Sequence, residues 1–448
     1  MKKVLAQVGI DRPVFYGGLA KLALAGSQLA IIVLIAARLA PEVQGYYYTY
    51  LNLTALQVFA ELGLSVVIVQ LCSHLWAFLH LDEAGRVRGE EQALSRLVHL
   101  GRLTLKWYGV AGLAASVVIG AAGSVFFATN SSGTSVSWLG SWLLLCALTG
   151  MKMWLIPVWA LLEGCNQVVS LYRFRFFSAV VGGAFTLGAL ALGLGLWSPS
   201  VGMAAELLFG ALYLARVHGG FLRSFATALP DPDFRWSREI LPLQIRIAAS
   251  WISGYFVSQL FTPLLFHFEG ARVAGQWGMT WSMFAMITSV SMLWVSTKAP
   301  QFGAWIVKGD YESLDREFFR ATRRSVAVTM LGAGAVWGGV YLVHALALPF
   351  SQRILSPLPA GFLALSVVAM SAPVAQSIYL RAHKREPLTA LSLIQALLTA
   401  VLAAVCGQRY GVIGMSASYF AVTAVMAPGV TLLWSRCRKE WHAAGRPI

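Results

Sequence analysis

The sequence predicts an all-α polytopic membrane protein, with twelve transmembrane helices in two pseudo-symmetric six-helix lobes around a central cavity. Three observations predict it. The 448 residues are 58% hydrophobic and only 12% charged, with a mean hydropathy of +0.67, whereas soluble domains carry roughly 25% charged residues. Twelve apolar runs follow one another along the chain, each close to the roughly 20 residues that a spanning helix needs. The basic residues between them fall on one side of the membrane almost without exception.

In order, the runs are 14–40, 46–72, 103–128, 138–162, 176–196 and 201–222, then 242–268, 275–297, 325–349, 358–380, 388–406 and 411–435. The first is too long for the apolar core of a removable signal and lacks a small-residue cleavage site, so it is expected to stay as a helix. Two stretches between runs, Asp82 to Lys106 and Asp310 to Arg324, place apolar residues on one face: Leu94, Leu97, Val98 and Leu105 in one, Leu314 and Phe318 in the other. Both read as amphipathic helices at the membrane surface, acting as structural elbows. Their equivalent positions indicate a repeat. Gly45 opens the second run and Gln70 closes it; Gly275 opens the eighth and Gln301 closes it. Residues 1–230 and 231–448 thus read as two lobes of equal orientation, since six is even.

All but six of the 34 Lys and Arg residues lie on the side that holds both termini. Arg38, Arg272, Arg353 and Arg409 lie opposite, and Lys21 and Lys152 lie within runs. The positive side is the cytoplasm, so the formal charge of +15 reflects cytoplasmic loops rather than nucleic-acid binding. The five cysteines show no CxxC and no paired spacing, which indicates neither disulfides nor zinc. External loops such as Asn130 to Ser137 are too short for a catalytic domain, and no phosphate-cradling loop, metal-ligand spacing or nucleophile elbow is present. No enzymatic activity, metal or cofactor is expected.

Charges inside spans are costly and mark pathways or cavities. Lys21 shares a face of the first helix with Gly17, Ala25 and Gln28, a spacing that suits a positively charged lumen. Three readings of Lys21 stand open: it lines that lumen, it pairs with Glu61, or it snorkels to the interface. Glu61 lies on a seam with Thr54, Gln57 and Ser65, at a depth similar to Lys21, as a counter-ion or as a protonatable coupling group. Lys152 sits too deep in the fourth run to snorkel cheaply. It either contacts an anion as a releasable point charge or holds helices together in an ion pair. Arg246, Ser250 and Ser253 share a face of the seventh run, and Ser392, Gln395 and Thr399 share one of the eleventh. Such groups contact sugars or serve as interhelical glue. Trp154, Trp159, Trp251, Trp277, Trp281 and Trp294 stack on sugars where they face a lumen, and otherwise form interfacial belts or packing.

Several stretches resemble the polysaccharide flippases of the multidrug/oligosaccharidyl-lipid/polysaccharide (MOP) superfamily. They are RLAPEVQGYYYTYLNLTALQVFAELGLSVVIVQ at 38–70, ALLEGCNQVVSLYRFRFFSAVVGG at 160–183, WSREILPLQIRIAASWISGYF at 236–256, AGQWGMTWSMF at 274–284 and KAPQFGAWIVKGDYESLDREFF at 298–319. The likeness runs in order over nearly the whole chain, through loose hydrophobic patterns rather than chemical signatures. It implies two lobes around a V-shaped cavity and transport by alternating access in the inner membrane. The substrate it implies is an anionic polyprenyl-pyrophosphate-linked oligosaccharide, handled by a monomer among membrane lipid and polysaccharide-assembly enzymes. Lys21, Gln28, Lys152 and Arg246 would then bind substrate, with Glu61 as coupling or counter-ion. The drug-exporting branch of the superfamily instead couples cation efflux to protons or sodium, typically through an acid in the first helix. Here that helix has no Asp or Glu and carries Lys21 instead.

Overall fold

The structure, a computed structural model, describes residues 12–131, 136–227, 236, 240–383 and 385–443; the side chains of 12–22, 226, 227, 242, 243, 246 and 250 fall outside what it describes. The chain begins with α1 (Arg12–Arg38) and α2 (Pro41–Thr54), and a 3-10 turn leads to the short α3 (Val58–Glu61) and to α4 (Leu64–Leu75). A hairpin of β1 (Leu79–Leu81) and β2 (Val87–Gly89) precedes α5 (Glu91–Asn130), α6 (Leu139–Gly164), α7 (Val168–Ala191), α8 (Ser198–Val217) and the short α9 (Gly219–Thr227). Then come α10 (Leu241–Ser258), α11 (Phe261–Glu269), α12 (Ala271–Ser291), α13 (Leu293–Ser296), α14 (Ala299–Lys308), α15 (Tyr311–Ala345), α16 (Pro357–Ala382) and α17 (Thr389–Ala443).

Each of the twelve predicted runs falls on helix. Among the described residues, eight helices are long and apolar enough to cross a membrane, or nine if one bent pair counts as a span. That pair is the second run, bent by 46° where Leu62 and Gly63 take left-handed backbone (φ 49° and 68°). The last two runs share α17, divided where Gly411 leaves helical geometry (φ 58°, ψ −143°). The first run lies on α1 and the seventh on α10 and α11.

The expected surface helices differ from what forms. Residues 82–90 belong to a hairpin, with Leu79 paired to Gly89 and Leu81 to Val87, because Leu79 and Val87 point inward while His80 and Arg88 point out. A separate helix never starts: α5 begins at Glu91 and continues into the span, since no Pro or helix-breaking turn interrupts it. Residues 311–324 are likewise the first turns of α15, capped by the Asp310 side chain accepting from Ser313 N. The detached amphipathic helix is α14, which precedes it.

The chain divides into two units, residues Met1–Leu34 with Leu53–Ile252 and residues Ile35–Asn52 with Ser253–Ile448. In the first unit, α5 and α6 approach closely through small residues, the membrane counterpart of a hydrophobic seam. A Cβ on Gly112 would lie 2.7 Å from the Gly150 carbonyl oxygen. Ser116 donates to the Gly112 and Cys146 carbonyls, and Trp142 Nε1 donates to the Gly120 carbonyl at 3.0 Å. In the second unit, the start of α2 packs on α12: a Cβ on Gly275 would lie 2.8 Å from the Gly45 nitrogen, and Gln44 Nε2 donates to the Gly275 carbonyl at 2.9 Å. The two glycines that mark the repeat in sequence therefore meet within one unit. Where α14 meets the ends of α15, α16 and α17, Phe302, Phe318, Tyr379 and Trp434 form an aromatic core. Beside it Asp315 takes bonds from Arg438 and from the Tyr379 hydroxyl, the latter at 3.1 Å.

Candidate functional site

Within the first unit, α6 and α8 run parallel, and their contacts climb in register. Thr149 Oγ1 lies 3.8 Å from Met203 Sδ, Lys152 Nζ donates to Glu206 Oε2 at 2.9 Å, and a Cβ on Gly210 would lie 3.3 Å from Leu155. Steps of three or four residues keep these positions on one face of each helix. The ion pair thus sits near the middle of two spans.

Space for the carboxylate comes from α7. A side chain on Gly182 would overlap Glu206, its Cβ lying 2.5 Å from Glu206 Cγ, and the next residue, Gly183, gives the same room to Ser27 of α1. Adjacent glycines thus seat α7 between α8 and α1. Thr186, one turn on, packs against Gly202 of α8.

The pair is not sealed. Lys152 keeps 45% of its side-chain surface and Glu206 29%, and intramembrane charges ordinarily face the bundle interior or a water-filled space rather than lipid. An ammonium has three N–H donors and no acceptor. Among the described residues, Glu206 takes one of them. Toward the end of α6, Trp159 stacks on Phe174 with centroids 3.8 Å apart, and Phe209 and Tyr213 of α8 extend the stack. Ser170 there bonds the Tyr213 hydroxyl at 2.9 Å and His218 Nε2 at 2.8 Å.

A second polar site lies at the break between α3 and α4. Glu61 is 8% exposed, Ser65 donates to its Oε1 at 2.6 Å, and the buried Tyr108 of α5 lies beside it. Leu62 and Gly63 lie between the two in left-handed backbone, at the 46° bend of the span.

The structure brings Lys152 to Glu206, a partner the sequence had not assigned to it. The signal was present only as two isolated charges at mid-span, 54 residues apart. Gln28 is exposed on α1. The Lys21 and Arg246 side chains lie outside the described residues, and with them the expected Lys21–Glu61 pair and the Ser250 position. Ser253, Gln395 and Thr399 are buried, which suits packing better than sugar contact. Of the tryptophans, Trp277 is buried in the second unit, whereas Trp154 and Trp294 are exposed. All five cysteines are free thiols, and among the described residues no group of three or more His, Cys, Asp or Glu side chains could hold a metal ion.

No family model and no curated protein matches the chain. Solved structures do. A eukaryotic MATE transporter, AtDTX14, superposes with a TM-score of 0.63 at 12% identity, covering 97% of this chain and 98% of the other. An inward-facing multidrug resistance MATE family transporter of the MOP superfamily gives 0.61 at 14% identity, covering 95% and 98%. A MOP superfamily transporter from Pyrococcus furiosus, described as having a binding pocket of reversed polarity that suggests a different function, gives 0.59 at 13% identity, covering 96% and 95%. At such identities the likeness establishes the fold. The chain has the all-α, multi-span, two-lobe architecture of twelve helices found in these transporters.

Proposed function

We propose that the chain is a flippase that carries an anionic polyprenyl-pyrophosphate-linked oligosaccharide across the inner membrane by alternating access. Its two sequence halves, 1–230 and 231–448, carry six spans each, and both termini lie in the cytoplasm. The observation that carries this reading is Lys152, an accessible ammonium at mid-span with two N–H donors beyond the one that Glu206 takes. A diphosphate supplies the acceptors and charge that such a group lacks, and lysine grips it as a point charge that can let go. The absence of Asp and Glu from the first span supports the same sign of cargo.

In this reading the protein works as a monomer among membrane lipid, alongside the enzymes that assemble the polysaccharide. Deleting the gene should make a lipid-linked saccharide accumulate on the cytoplasmic face. Restoring the wild-type gene, but not one carrying Lys152→Ala, should clear it. Absence of any accumulating saccharide would count against the flippase.

A second reading, a cation- or proton-coupled antiporter of drugs or small molecules, draws on the solved transporters described as multidrug resistance proteins and on the buried Glu61. That carrier would depend on Glu61 and tolerate loss of Lys152. Efflux of a cationic dye from cells expressing Glu61→Gln or Lys152→Ala separates the two.

A further inference from the structure

Glu206 is built into the site rather than incidental to it. Gly182 is bare where the carboxylate lies, and the register of α6 on α8 sets that carboxylate opposite the Lys152 ammonium. Among the described residues the Lys152 ammonium is the one hydrogen-bond donor that Glu206 meets. No serine, threonine or backbone amide of that set fixes it. A carboxylate that the described residues hold by one charge-assisted bond, with 29% of its surface accessible, is exchangeable in a way that a multiply bonded structural carboxylate is not.

We infer that Glu206 is a resident counter-ion for Lys152, occupying the ammonium in the empty carrier and giving it up to the diphosphate of the cargo. The inference rests on the proposed function and identifies what the substrate must displace. The empty site is then electrically neutral at mid-span, which lowers the cost of holding a charge there. A ligand displaces the carboxylate when it brings more negative charge than the single one it replaces. Glu206 therefore acts as a positioning and selectivity residue. It disfavours weakly anionic lipids, and a diphosphate overcomes it.

The test is equilibrium binding of farnesyl diphosphate, with farnesol and inorganic pyrophosphate as comparison probes, to the purified full-length chain in detergent. Glu206→Gln keeps the shape and removes the competing charge, so it should bind farnesyl diphosphate about tenfold more tightly than wild type. Lys152→Gln should bind at least tenfold more weakly, and Lys152→Gln with Glu206→Gln should match Lys152→Gln alone. Gly182→Ala, whose new methyl would push Glu206 from its place, should reproduce part of the gain with the charge unchanged. It answers the question if Glu206→Gln proves unstable.

Farnesol should bind all variants alike. Inorganic pyrophosphate that gains as much as farnesyl diphosphate would identify the displacing group as free diphosphate, with no need of the lipid. Unchanged or weaker binding by both Glu206→Gln and Gly182→Ala overturns the inference, as does a gain that persists without Lys152. Wild-type binding by Lys152→Gln instead removes the anion site on which the proposed function stands.

Discussion

Replacing Lys152 with glutamine strands the Glu206 carboxylate near the middle of two spans, and the size of the penalty follows from the exposure of the pair. Removing one partner of a fully buried pair costs about 3–5 kcal/mol, and fully exposed pairs contribute about 0.2–1 kcal/mol. With 45% and 29% of the two side chains accessible, Lys152→Gln should destabilise the protein by about 1–2 kcal/mol. Adding Glu206→Gln removes the orphaned charge and should restore at least half of that loss. Reversible unfolding of the four proteins in mixed detergent micelles closes a double-mutant cycle, with an expected coupling near 1 kcal/mol. If the double variant is no more stable than Lys152→Gln, the two groups are not coupled, and the pairing argued from their 2.9 Å separation is wrong.

Other consequences are local. Gly150→Ala puts a methyl against Ser116 and the Gly112 carbonyl, so it should cost about 1–3 kcal/mol, read by the same unfolding assay; an unchanged midpoint would deny the close α5–α6 approach. Asp315→Asn removes the carboxylate that Arg438 and Tyr379 bond and should cost about 1–3 kcal/mol. It should also raise hydrogen exchange at the ends of α15 and α17. In the hairpin, Asp82 accepts from the Arg86 amide at 2.8 Å and from Arg88. These bonds, the Arg86 amide foremost, hold its carboxyl below the usual carboxylate range. A pKa depressed by folding contributes stability above the unfolded value and loses it as pH falls through the folded one. Asp82→Asn should therefore speed amide exchange at Arg86 and Val87 at neutral pH, and the difference from wild type should vanish in strong acid.

The spans were legible because twelve apolar runs of bilayer length leave little choice of structure. The polar beginnings of α5 and α15 were harder. Sequences such as EQALSRLVHLGRLTLK are amphipathic whether they lie on a membrane or extend a span beyond it, and only the unbroken backbone distinguishes the two. The hairpin escaped because strands of three residues are too short for a period of two to stand out. Nothing local in PEVQGYYYTYLN announces that it packs with residues beyond 253; that follows from Gly45 meeting Gly275 across 230 positions. The site was half visible. A lysine at mid-span signals function by its cost alone, but its partner on a non-adjacent helix shares no periodicity with it. Gly182 becomes meaningful only once Glu206 is seen against it.

The most direct measurement is translocation in proteoliposomes containing only the purified full-length chain and a fluorescent polyprenyl-pyrophosphate-linked oligosaccharide, followed by the fraction accessible to a membrane-impermeant quencher. Wild-type protein should move the labelled lipid between leaflets, and Lys152→Gln should reduce the rate at least tenfold while reconstituting equally well. Vesicles that leave the lipid in its starting leaflet, yet exchange a cationic drug for protons with or without Lys152, would contradict the flippase.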